Sequence, residues 1–74
     1  LESELIRNIE ELPLECRTVF KKNRFEQKKY EEIAIELNIS VNTVKYHMKK
    51  ALSCLQQRME KYLKLLVLYV FLGN

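Results

Sequence analysis

A set of hydrogen-bonding side chains in the second half of the chain recurs at the spacing of one helical face. These side chains are Asn42, Lys45, Tyr46, Lys49 and Ser53, at positions i, i+3, i+4, i+7 and i+11. Asparagine can pair with adenine through two hydrogen bonds, lysine can reach guanine or a phosphate, and tyrosine can contact a thymine methyl group or a phosphate. The face therefore has the chemistry to bind a nucleic-acid duplex. An ordinary solvated, lysine-rich helix surface has the same composition. Other features are therefore needed to distinguish a nucleic-acid-binding face from such a surface.

The distribution of charge favours the nucleic-acid interpretation. Residues 41–59 contain no acidic residue, and residues 21–29 contain five basic residues and one acidic residue, whereas the segment between them, 30–40, has three acidic residues and no basic one. An acidic residue in the first turn would stabilise an isolated helix, but it would weaken a helix that points its N-terminal amides at a phosphate. Two basic segments around an acidic one, within a net charge of +3, indicate a surface that faces a polyanion.

Catalytic and metal-binding chemistry has little support in the chain. Cys16 and Cys54 stand 38 positions apart without a CxxC motif, and His47 is the only histidine. Because free cysteines are commonly buried, we expect two reduced core cysteines in a cytoplasmic protein. We predict no catalytic residue, no metal and no cofactor, and so no enzyme.

The spacing of apolar residues predicts a small all-α domain of four helices. One glycine and one proline in 74 residues leave few tight turns, which argues against a sandwich or a barrel. We expect a short first helix, a second over about 13–23 with Pro13 as its first residue, a loop over 24–29, and a third helix from Tyr30 to Leu37. The fourth and longest helix buries a stripe of Val44, Met48, Ala51, Leu52 and Leu55.

A short turn between the third and fourth helices has the outline of a helix-turn-helix. Asn38 suits the left-handed conformation that ends a helix, and Ser40 suits the N-cap of the next one. Ala34 is small where the two helices must cross, and Val44 is placed to pack the second helix against the first. We therefore expect the face described above to belong to a recognition helix.

Two stretches of the chain resemble region 4 of bacterial sigma factors. They are LPLECRTVF (12–20) and YEEIAIELNISVNTVKYHMKKAL (30–52), within a resemblance that covers residues 5–58. The chain is most similar to the extracytoplasmic-function (ECF) class, and its apolar tail is similar to that of Bacteroidetes members. The resemblance implies a four-helix domain whose last helix enters the major groove of the minus-35 promoter element. It also implies binding to core RNA polymerase, chiefly through the flap of the β subunit.

The resemblance also implies a set of DNA-facing residues in this chain. Lys28 and Lys29 would lie near phosphates at the start of the third helix. Ser40 opens the recognition helix, and the remaining DNA-binding candidates are Val41, Asn42, Thr43, Lys45, Tyr46, Lys49 and Lys50. The family often has glycine where Gln27 and Asn38 stand and serine where Lys29 stands. Val41 cannot hydrogen-bond to a base, so that position offers apolar contact alone.

The C-terminal tail is an apolar helical extension in this interpretation. We divide the chain into a region 4 domain over 1–60 and an extension over 61–74, with the fourth helix continuing past Arg58 and ending at Gly73. Residues 65–72 (LLVLYVFL) are apolar all round but too few to span a bilayer, so we expect no membrane insertion. We expect them to be buried against another copy through 62–72, against a missing N-terminal domain, or against an anti-sigma factor. Because the chain begins with Leu1 rather than methionine, we expect a fragment of a longer protein.

Two other functions are compatible with the same residues. The run Thr43–His47 matches the output domain of LuxR/NarL-type response regulators, although Leu12 and Pro13 do not match the usual start of that family. A helical protein-interaction module without DNA binding, dimerising through its apolar tail, is the third interpretation. Binding to core RNA polymerase would separate the first two, and binding to DNA would separate both from the third.

Overall fold

The computed structural model describes residues 2–59, which form four helices. Their order is α1 (Glu2–Glu10), α2 (Leu14–Arg24), α3 (Tyr30–Leu37) and α4 (Val41–Arg58), and the described residues contain no strand. This confirms the predicted all-α fold, and α3 has the predicted bounds. No helix among residues 2–59 is long and apolar enough to cross a membrane.

One compact core unites the four helices. The largest fully buried side chains include Ile9 on α1, Val19 on α2, Ile33 on α3 and Leu55 on α4. The predicted apolar stripe of α4 lies in this core, with Leu52 partly buried at its margin. The buried residues of the cluster are Ile9, Leu12, Cys16, Val19, Phe20, Ile33, Ala34, Val44, Met48, Ala51, Leu55 and Met59. Because every helix contributes, the core fixes the orientation of α4.

Pro13 precedes α2 instead of opening it, which corrects the predicted start. Its ψ of 145° is extended, and its carbonyl accepts a hydrogen bond from the Arg17 N–H at 2.9 Å. The proline ring restricts φ but leaves ψ free to be extended. Pro13 is therefore the N-cap residue, and its carbonyl takes the first bond of the helix.

The loop between α2 and α3 is closed by backbone and side-chain hydrogen bonds. The Lys28 N–H donates to the Lys22 carbonyl at 3.0 Å, and the Asn23 side-chain amide donates to the Lys28 carbonyl at 2.9 Å. Gln27 has a φ of 57°, in the left-handed region that favours glycine. This explains why the family that the sequence resembles often has glycine here.

The fourth helix ends at Arg58, earlier than the sequence predicted. Met59 has φ −121° and ψ 43°, outside the helical region, although its N–H still donates to the Leu55 carbonyl at 2.9 Å. The Met59 side chain is 3% exposed, so it belongs to the domain core. The predictions made for residues 61–74, including the apolar segment 65–72 and the stop at Gly73, lie outside the described residues.

Candidate nucleic-acid interface

The connection from α3 to α4 is a tight turn built on a left-handed residue. Asn38 has φ 58° and ψ 48°, as predicted, and its N–H donates to the Ile35 carbonyl at 3.3 Å. The Ile39 N–H reaches back to the Ala34 carbonyl at 3.0 Å. These two bonds form a Schellman motif, which ends α3 and turns the chain sharply into α4. Ala34 and Val44, on either side of the turn, lie in the same buried cluster.

Ser40 is the N-cap of α4, as the sequence predicted. Its Oγ accepts a hydrogen bond from the Thr43 N–H at 3.0 Å and lies 2.9 Å from the Thr43 Oγ1. The Ser40 carbonyl accepts the Val44 N–H at 3.1 Å, which closes the first turn. That turn contains no acidic side chain. The N–H groups of Val41 and Asn42 lie in the first turn, where no intrahelical carbonyl accepts from them, so they can donate hydrogen bonds to an anion.

The face of α4 opposite the core presents the predicted side chains to solvent. Asn42, Lys45, Tyr46 and Lys49 are exposed, and the Tyr46 side chain is 58% exposed. On the other side of the helix, Val44 is 0% exposed. The orientation of α4 therefore leaves its donor-rich face free for a ligand.

The other predicted residues of α4 border this face. Lys50 is exposed, and its Nζ lies 6.0 Å from the centroid of the Tyr46 ring, within range of a cation–π interaction. Val41 and Thr43 are half-buried, and Val41 packs against the core. These two side chains offer less contact area than their neighbours on α4.

The basic residues of the described chain fall into two groups. Five have a carboxylate within ion-pair distance, and none of these carboxylates is on α4; the five are Arg17, Lys21, Lys22, Lys28 and Arg58. The other six have no such partner among residues 2–59; they are Lys45, Lys49 and Lys50 on α4, together with Arg7, Arg24 and Lys29. The positive charge of α4 before Arg58 is therefore available to an external anion.

The two lysines before α3 differ in their surroundings. Lys28 is half-buried, and its Nζ contacts the carboxylate of Glu36 and lies 3.4 Å from Glu26 Oε1. Lys29 is exposed and is the N-cap residue of α3, where its N–H donates to Glu32 Oε1 at 2.8 Å. An ammonium group cannot accept a hydrogen bond, so Glu32 supplies the side-chain cap at this helix start. The Lys29 ammonium group remains exposed to solvent.

An apolar groove lies on another part of the surface, between α2, the α3–α4 turn and α4. It has a volume of about 260 Å³ and is lined mainly by Leu14, Val19, Leu37, Ile39 and His47. Leu14 is 61% exposed although it belongs to a core-packed helix. This groove was not predicted from the sequence; the one signal for it is the position of Leu14, off the buried face of α2 formed by Cys16, Val19 and Phe20.

His47 borders the core at the edge of this groove. Its Nδ1 lies 3.9 Å from the Sγ of Cys16, which is 1% exposed. Burial raises the pKa of the Cys16 thiol, so this thiol is poorly suited to act as a nucleophile. Among residues 2–59, no group of three or more histidine, cysteine or acidic side chains comes together to hold a metal.

The family of the chain follows from comparison with family models. The model for sigma-70, region 4 matches residues 3–55, which include the starts of α2, α3 and α4 and the complete turn. The chain belongs to the sigma-70 region 4 family. Region 4 is a DNA-binding domain with a helix-turn-helix, and the sigma factors that contain it act with RNA polymerase in transcription initiation. It is not an enzyme family.

The remaining comparisons add no further relatives of this region 4 domain. Neither the curated proteins nor the solved structures gave a significant match. The matched span includes every residue predicted to face DNA, from Lys28 to Lys50. Of the functions considered from the sequence, the family supports the sigma factor over a response-regulator output domain or a module without DNA binding.

Proposed function

We propose that this region 4 domain recognises the minus-35 promoter element for an ECF-type sigma factor similar to Bacteroidetes members. In this function it would direct RNA polymerase to a promoter in the cytoplasm. The observation that carries the proposal is the exposed face of α4, which has three lysines without a carboxylate partner among residues 2–59 and no acidic residue. A helix of this kind fits the major groove of a duplex.

The exposed side chains divide into two tasks in the proposed complex. Asn42, Lys45 and Tyr46 lie in the first half of α4 and are proposed to contact base edges, because recognition helices read bases near their N-terminal end. Lys49 and Lys50, one turn further on, are proposed to contact phosphates. The sugar–phosphate backbone of the DNA would be contacted by the first-turn amides and by Ser40, Thr43 and the exposed Lys29. Val41 would add apolar contact. Phosphate contacts would supply most of the affinity, and base contacts the specificity.

The salt dependence of DNA binding tests this arrangement. Lys45→Ala and Lys49→Ala should each weaken binding to a promoter duplex. Each variant that removes a true phosphate contact should flatten the plot of log K against log salt by about 0.9. Lys21→Ala is the matched control, because it removes the same charge from a lysine that already pairs with Glu10. A Lys49→Ala slope equal to the wild-type slope, together with an unchanged affinity of Lys45→Ala, would refute the placement of α4 in the groove.

The proposal also includes the β flap of RNA polymerase as a partner. The groove lined by Leu14, Val19, Leu37 and Ile39 supports this, because an apolar helix face could bury its side chains there. The groove is lined by His47 of α4 but by none of the exposed residues of that helix. Core RNA polymerase should therefore co-purify with the wild-type chain but less with Leu14→Glu, while DNA binding by this variant stays unchanged. Equal recovery of polymerase by both chains would exclude the groove as its binding surface.

Two further partners are proposed for the apolar tail. Eight consecutive apolar residues at 65–72 support burial in an interface, either between two copies through 62–72 or with an anti-sigma factor. The mass in solution of the chain with and without residues 62–74 tests self-association. A monomeric mass for both forms would exclude the dimer and leave the anti-sigma factor as the proposed partner.

A further inference from the structure

The carboxylate of Glu36 joins three segments of the domain. Its Oε1 accepts a hydrogen bond from Lys22 at the end of α2, and its Oε2 accepts one from Lys28 in the loop before α3. Lys28 also lies 3.4 Å from Glu26 in that loop. The hydrogen bonds from Lys22 and Lys28 lower the pKa of Glu36, and the bond to Glu36 raises the pKa of Lys28. The Glu36 carboxylate and the Lys28 ammonium group are therefore both fully charged near neutral pH.

These contacts change the electrostatic character of the segment 21–29. From sequence this segment is strongly basic, but Lys21 pairs with Glu10, and Lys22 and Lys28 pair with Glu36. Of its five basic residues, Arg24 and Lys29 have no carboxylate within ion-pair distance among residues 2–59. The first basic segment is thus partly neutralised within the domain, whereas the lysines of α4 are not.

We infer that Glu36 limits DNA affinity by competing with phosphates for Lys22 and Lys28. This inference rests on the proposed function, since it concerns binding to the same duplex. A phosphate that recruits these lysines must compete with the Glu36 carboxylate, and such contacts carry no sequence information. Glu36 therefore restrains binding to arbitrary DNA and makes the domain depend on the sequence-reading face of α4.

The experiment compares Glu36→Gln with the wild-type chain on a fluorescently labelled duplex of mixed sequence. Glutamine keeps the shape of the side chain and a carbonyl acceptor but removes the charge. Affinity should rise at low salt, and the slope of log K against log salt should steepen by about 0.9 for each released lysine, or about 1.8 for both. Glu31→Gln is the matched control, because Glu31 is an exposed residue of the same helix without an ion pair among residues 2–59.

A double-mutant cycle identifies the lysine that responds. Lys22→Gln should leave the slope almost unchanged in the wild-type chain, where Lys22 is paired with Glu36. In the Glu36→Gln chain the same substitution should lower the slope by about 0.9. The helical circular dichroism of each variant should match that of the wild type, because these side chains lie outside the buried core and pairs at the surface add little stability.

The outcomes separate this inference from the proposed function. If the wild type binds the duplex and Glu36→Gln has the same slope as Glu31→Gln, the role of Glu36 is overturned while DNA binding stands. If neither the wild type nor Glu36→Gln binds DNA at low salt, the proposed function fails and the inference fails with it. A slope that steepens in Glu36→Gln but not in Glu31→Gln supports both.

Discussion

Replacing Ser40 by aspartate separates the stability of α4 from its contact with DNA. Ser40 caps the helix through the bond from the Thr43 N–H to its Oγ, at 3.0 Å. Ser40→Ala removes that bond and should lower the free energy of unfolding by about 1 kcal/mol, or about 4–8 °C in melting temperature for a domain of this size. Ser40→Asp keeps an acceptor and adds a negative charge at the positive end of the helix. It should therefore equal the wild type or exceed it by about 0.3–1 kcal/mol.

The same aspartate should weaken DNA binding. Ser40 is exposed at the start of α4, where we propose that the first-turn amides face a phosphate. Two like charges about 4 Å apart in water repel by roughly 1 kcal/mol, which corresponds to an approximately fivefold loss of affinity. Ser40→Asn is the control, because asparagine caps a helix as well as aspartate does but carries no charge.

Thermal unfolding followed by circular dichroism and DNA binding followed by fluorescence anisotropy complete the comparison. We expect Ser40→Asp to be at least as stable as Ser40→Asn and to bind DNA more weakly. If Ser40→Asp were less stable than Ser40→Ala, the capping interaction would be misassigned. If Ser40→Asp and Ser40→Asn bound DNA equally well at low salt, the start of α4 would not lie near a phosphate.

Three further predictions follow from particular residues. Asn38→Ala should lower the free energy of unfolding in urea by roughly 1 kcal/mol while Asn38→Gly keeps it, because the left-handed φ of 58° is costly for alanine; equal values would contradict this. Cys54, which is half-buried, should react with a thiol reagent before Cys16, whose burial raises its pKa, and equal rates in the folded protein would disprove the packing. The lowered pKa of Glu36 should contribute stability above its ordinary value of 4.5, and this contribution should be lost as the pH falls through the lowered pKa in the folded state. Acid titration of Glu36→Gln should therefore show a smaller loss of stability below pH 4.5, and identical titrations would argue against the ion pairs.

The features that the sequence predicted correctly are those with local physical causes. Asn38 and Ser40 act on backbone groups within a few residues of themselves, so their types and positions were enough to place the turn. The burial of Val44 and the exposure of Lys45 follow from the helical period once one face is assigned to the core. The exposed, donor-rich face of α4 could therefore be identified before the fold was known.

The features that the sequence could not show depend on contacts between distant segments. Lys22 and Glu36 stand 14 positions apart, and Cys16 and His47 stand 31 apart. No local period relates such pairs, because their proximity depends on how α2 packs against α3 and α4. This is why Lys28, predicted to lie near phosphates, was not seen from sequence to be held by Glu36.

The placement of acidic residues separates the stability of the domain from its function. Four acidic residues form the ion pairs of the described chain, and they lie on α1, after α1, in the α2–α3 loop and on α3; they are Glu10, Glu11, Glu26 and Glu36. These pairs hold basic residues of α2, the loop and the end of α4. A carboxylate on the outer face of α4 would compete directly with phosphate for Lys45 and Lys49. Since none is present there, ion pairing can stabilise the scaffold while α4 keeps its positive charge for the DNA that we propose it binds.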